Sequence, residues 1–78
     1  MSAKRKPAYD WDAATVHALR AHLDMTQQEL SEELGVRQQT ISDWECGYHR
    51  PRGGMARLLN IVAERAEFEY QLENDNDG

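Results

Sequence analysis

Two glycine-closed segments set the frame of this chain. Thr26-Gln-Gln-Glu29 has the spacing of a helix-opening box: the threonine hydroxyl accepts the amide three residues on, and the glutamate reaches back. Gly35 follows where a left-handed residue ends such a helix at little cost. Gly47 does the same for a segment that begins near Gln38. Ahead of each stop, Leu30 and Leu34 point inward from one helix and Ile41 and Trp44 from the next.

The flanks read as helix too. Asp10 or Asp12 caps a segment running to about Leu23, with Ala14, Val16, Leu19 and Leu23 as its buried stripe. Tyr48-His-Arg-Pro-Arg-Gly-Gly54 is a loop, punctuated by Pro51 and two glycines. A last helix starts near Gly54 or Met55 and buries Met55, Leu58, Leu59, Val62 and Ala66. No strand pattern and no internal repeat interrupts this. The expected fold is all-α, a small bundle of four to five helices, the fifth being in the tail. Residues 1–9 read as a loose basic arm, a solubilising terminus. Residues 10–66 form the domain, and 67–78 an acidic tail whose first half is helical.

Composition narrows the class. A chain of 78 residues allows one small domain. Cys46 is the only cysteine, so an intrachain disulfide and a Cys-based zinc site are excluded. No apolar run reaches the ~20 residues that span a bilayer, and the N-terminus lacks an apolar signal region. A cytoplasmic setting is the expectation. The net charge of −5 is unevenly spread: residues 1–66 balance, and the surplus is Glu67, Glu69, Glu73, Asp75 and Asp77. Four basic residues against two acidic ones lie between Arg37 and Arg57, so a locally basic face fits a globally acidic chain.

Two short helices joined by a glycine turn form a helix-turn-helix if they cross steeply. Ser31 sits where the second helix approaches the third, and its small side chain permits contact. With Ile41 inward, helical periodicity turns Gln39, Ser42, Asp43 and Cys46 outward, and Gln38 projects from the helix head. Two amides, a hydroxyl and a carboxylate on one face can pair with base edges.

These residues resemble the Cro/C1-type (XRE-like) helix-turn-helix family of phage repressors, bacterial regulators and antitoxins. The matching text is Leu19-Arg20, Met25-Thr-Gln27, Glu29-Leu30, Leu34-Gly-Val36, Gln39-Thr-Ile-Ser42, Trp44-Glu45, Gly47, Arg50-Pro51 and Leu58-Leu59. The stretch from Trp44 to Gly53 is especially similar to the antitoxin-like branch. The resemblance implies a lambda-repressor-like domain that binds double-stranded DNA with the third helix in the major groove. It gives Gln27 a phosphate contact and Gln38 and Gln39 base contacts. Thr40 falls near phosphate or base, and Arg50 and Arg52 meet phosphates or the minor groove. It also implies a partly buried ion pair between Arg20 and Glu45.

Three positions depart from the family pattern. Arg37 replaces the usual capping Ser or Thr and can touch phosphate instead. Asp43 is acidic where relatives carry Arg, Lys or Gln, which suits a cytosine amino group. Asp24 replaces a common glycine, and Asp tolerates the left-handed region better than most residues.

The expected function is a small transcriptional regulator, a repressor by operator occupancy, acting as a homodimer on a palindromic site. The alternative is an antitoxin or adaptor whose last helix and acidic tail bind a protein such as a toxin. Nothing resembles an enzyme: Cys46 lacks a Cys-His-Asp arrangement, and His17 and His22 have the wrong spacing for helical metal pairing. No cofactor and no metal is expected. Trp11 and Trp44 read as core, and His49 as a solvated loop residue. Ile61, Phe68 and Leu72 form a second apolar line at spacings of seven and four, which predicts a dimer through the last helix. In the alternative, the chain bends near Ala66 and folds Phe68 and Leu72 back on its own domain.

Overall fold

The computed structural model describes residues 10–68; the basic arm, the tail beyond Phe68 and with it Leu72 lie outside the described residues. Four helices follow in order: α1 Ala13–Leu23, α2 Gln27–Leu34, α3 Gln38–Cys46 and α4 Gly54–Arg65. This is the expected all-α, lambda-repressor-like architecture. Among the described residues no helix is long and apolar enough to cross a membrane.

Each boundary has a local cause. Of the two candidate caps for α1, Asp12 is the one used: its carboxylate accepts the Thr15 amide at 2.9 Å and the Thr15 hydroxyl at 2.8 Å. These bonds, the backbone one first, hold the Asp12 carboxyl below its ordinary pKa. At the far end Asp24 takes the left-handed conformation (φ 58°), and its amide bonds the Ala21 carbonyl at 3.0 Å. The box at α2 closes in both directions, Glu29 N to Thr26 Oγ1 at 3.0 Å and Thr26 N to Glu29 Oε1 at 2.9 Å. Gly35 (φ 74°) and Gly47 (φ 84°) end α2 and α3, where any side chain would be strained. Arg37, at the N-cap of α3, makes no side-chain cap.

Trp11, Val16, Leu19, Leu30, Leu34, Ile41, Trp44, Leu59, Ala63 and Phe68 form one core. α3 sits centrally, packed against both α1 and α2. Ser31 is buried, and its hydroxyl donates to the Gln28 carbonyl at 2.6 Å, so its polar group is not stranded.

Three expectations are corrected. Ala14 is exposed, and Thr15 takes its place in the core. Ala14 and Val16 are two positions apart, about 200° of helical rotation, so the two cannot share a face. Thr15 can be buried because its single hydroxyl proton lies between two acceptors, the Asp12 carboxylate at 2.8 Å and the Asp10 carbonyl at 2.9 Å. In α4 the fully buried positions are Leu59 and Ala63; Met55, Leu58, Val62 and Ala66 are only half-buried. Finally, Phe68 is withdrawn from the second apolar line. Glu67 adopts a positive φ of 56°, and the Phe68 amide turns back to the Ala63 carbonyl at 2.9 Å. The Phe68 ring then stacks on Trp11 at 6.4 Å and leans on His22 at 5.4 Å. His22 Nε2 donates to the Ala66 carbonyl at 2.7 Å and so caps the end of α4. Ile61 alone of that line stays exposed among the described residues.

Candidate nucleic-acid interface

The third helix is held from below and open above. Ile41 and Trp44 are buried, which fixes its rotation about its own axis. Arg37, Gln38 and Gln39 are then exposed at its head, with Thr40, Ser42 and Asp43 half-buried along the same element. The Gln39 side-chain amide donates from Nε2 to Asp43 Oδ1 at 2.9 Å, one turn down the helix. Cys46 is exposed at the far end.

The loop after α3 brings a second set of groups to this helix. Thr40, Trp44, Tyr48, His49, Arg50 and Arg52 line one open concavity together with Met55. Both arginines are exposed, and Arg50 Nη1 lies 3.7 Å from the equally exposed Asp10 carboxylate. That contact is long and solvated, so it leaves the guanidinium available. Tyr48, 73% exposed beside these groups, is a candidate that residue pattern alone did not single out. The available signal is its place directly after the helix-stopping Gly47, where an aromatic has no core to enter.

Beneath the interface, Glu45 of α3 collects donors from α1 and α2. Arg20 Nε reaches Oε2 at 2.7 Å and Arg20 Nη2 reaches Oε1 at 2.9 Å. Gln27 Nε2 and His17 Nδ1 approach Oε1, each at 3.3 Å. Arg20 also donates to the Met25 carbonyl at 3.1 Å, which anchors the turn between α1 and α2. Burial pushes the Glu45 carboxyl up, but the hydrogen bonds from Arg20, His17 and Gln27 outweigh it and the net shift is downward. The same bond to Glu45 raises Arg20 against its own desolvation. With side-chain exposures of 19% and 9%, this bidentate pair is a structural tie between α1 and α3.

Gln27 is half-buried at the start of α2, with its amide nitrogen toward Glu45. One of its two Nε2 hydrogens is thus engaged and one remains for an outside acceptor. The structure brings Arg50, Arg52 and Thr40 to one concavity and Gln39 to Asp43, while Gln27 is tied to the ion pair.

The fold and this surface define a helix-turn-helix domain with a short exposed third helix and a basic loop beside it. The protein-family model HTH_3, described as Helix-turn-helix, matches residues 16–62. The chain belongs to this family, whose domain is of the Cro/C1 type and binds DNA. Members are typically non-enzymatic. No curated protein and no solved structure matches the chain.

Proposed function

We propose that this protein is a sequence-specific regulator of transcription, a repressor that acts by occupying an operator. The observation that carries the reading is a polar helix head flanked by two exposed arginines. Gln38 and Gln39 project from α3, and Arg50 and Arg52 stand in a loop that shares a concavity with Thr40 on the same helix. In this reading Gln38, Gln39, Ser42 and Asp43 face base edges in the major groove. Arg37, Arg50 and Arg52 hold phosphates, with Thr40 and the free Nε2 hydrogen of Gln27 as neutral donors. No bond is made or broken: a bound domain excludes polymerase from the same duplex.

One nine-residue helix covers few base pairs, so two copies on a two-fold site are the physical expectation. The surface that suits the second copy is the apolar groove lined by Leu23, Met25, Leu58, Ile61 and Val62. Glu33 and Arg65 stand on its lining with opposite charge, so a two-fold contact can pair them.

Selection of duplexes from a random library tests the proposal. The expected product is a pair of inverted half-sites about one helical turn apart, bound in a salt-dependent manner. Recovery of unrelated sequences would remove sequence-specific regulation. Stoichiometric isolation with a protein partner and no DNA affinity would favour the antitoxin or adaptor role.

A further inference from the structure

The Gln39–Asp43 pair carries a prediction about which base the third helix reads. We infer that Asp43 is a positioning residue that locks the Gln39 amide in the orientation complementary to adenine. This rests on the proposed docking of α3 in the major groove.

A carboxylate only accepts hydrogen bonds, so the group that Gln39 turns toward Asp43 must be Nε2 and not Oε1. The observed contact, Nε2 to Oδ1 at 2.9 Å, has that sense. A flipped amide would set its oxygen against a carboxylate oxygen, which is repulsive. One Nε2 hydrogen is therefore engaged along the helix. What Gln39 presents outward is one donor, the second Nε2 hydrogen, and one acceptor, Oε1.

That edge matches one purine. Adenine offers an acceptor at N7 and a donor at N6, and glutamine meets both together. Guanine offers acceptors at N7 and O6. A glutamine free to rotate can offer guanine both Nε2 hydrogens. With one hydrogen held by Asp43, it has one donor left, and Oε1 then opposes O6. In water such a helix pair is weak. Inside a groove with little water, the misdirected amide oxygen is costly to leave unpaired. This also explains an acidic side chain on a surface that meets a polyanion: Asp43 acts on the neighbouring glutamine more than on the DNA. Asp43 is half-buried, whereas Gln39 beside the helix head is exposed, which suits a supporting group behind a reading one.

The test uses the full chain and the duplex obtained by selection, with each base placed in turn at the position where Gln39→Ala loses discrimination. Wild type is expected to prefer adenine to guanine there by about ten-fold or more. Asp43→Ala should bring the two within about three-fold while other positions keep their preference. Asp43→Asn, of the same size, should relax the choice as well, because its amide can donate to a flipped Gln39 as readily as accept. Circular dichroism establishes that both variants stay folded. The free protein gives an independent readout: one Gln39 side-chain amide proton should resonate downfield and move back upfield in Asp43→Ala. A folded Asp43→Ala protein that keeps the adenine preference, or loses all duplex binding, overturns the inference and leaves the proposed docking intact. Unchanged Gln39 amide resonances overturn it too. A wild-type protein with no base preference at any position overturns the docking itself, and the inference with it.

Discussion

At the scale of single residues, Glu45 ties three side chains of two neighbouring helices to α3. Its carboxylate accepts from Arg20, His17 and Gln27, and Arg20 in turn holds the Met25 carbonyl. Removing the acid strands a guanidinium that is itself mostly buried. Glu45→Ala should therefore lower unfolding free energy by ~2–4 kcal/mol, read from urea titration. The pH dependence has a definite sign. Because the folded Glu45 carboxyl titrates below its ordinary value, its contribution is present above the unfolded glutamate pKa of about 4.3. It is lost as pH falls through the folded value. Wild-type stability should decline in that acid window, and Glu45→Gln should decline less steeply. Equal slopes for the two proteins would assign the acid sensitivity elsewhere, with Asp12 the next group to examine.

At the scale of elements, the third helix lacks a conventional start. Arg37 has the extended backbone of an N-cap (ψ 152°) without any side-chain bond. Arg37→Ser should supply one and stabilise the fold by ~1 kcal/mol, seen as a higher denaturation midpoint. If Arg37 holds a phosphate, the same variant should bind all duplexes more weakly and with a shallower salt slope. Local chemistry of this kind was readable in advance. Thr26 with Glu29, Gly35, Gly47 and the left-handed Asp24 all act within a few residues of themselves. Burial of Thr15 in place of Ala14 follows from the rotation of α1, and Ala63 is buried because it lies one turn beyond Leu59 on the same face of α4. The end of α4 was harder. Helical spacing links Ile61 to Phe68, and the break depends on Glu67, whose positive φ no residue preference announces. The partner that draws Phe68 inward is Trp11, 57 positions away by sequence number, together with His22. Phe68→Ala should accordingly cost ~3 kcal/mol of stability, while Ile61→Asp stays within ~0.5 kcal/mol in the monomer. Equal effects would return Phe68 to the surface.

At the scale of the whole molecule, the proposed dimer rests on a second surface. Leu23, Met25, Leu58, Ile61 and Val62 line an apolar groove that shares no residue with the concavity beside α3. Sedimentation at micromolar concentration should show wild type associating and Ile61→Asp remaining monomeric; a monomer in both would shift assembly onto the DNA, and association in both would move the contact away from Ile61. The site itself was only partly legible. Gln38, Gln39, Arg50 and Arg52 could be named from the family resemblance and from charge, because exposure needs no partner to be foreseen. The engagement of Gln27 with Glu45 and of Arg50 near Asp10 depends on how α2 and the N-terminal segment pack, which a linear pattern does not encode. The most direct measurement is duplex affinity against salt, on selected and scrambled sequences, for wild type, Gln38→Ala/Gln39→Ala and Arg50→Ala. The glutamine variant should lose about ten-fold or more of the selected-over-scrambled ratio with its salt slope intact. Arg50→Ala should weaken both duplexes together and flatten the slope by about one. A glutamine variant that keeps the full ratio would contradict base reading by the third helix.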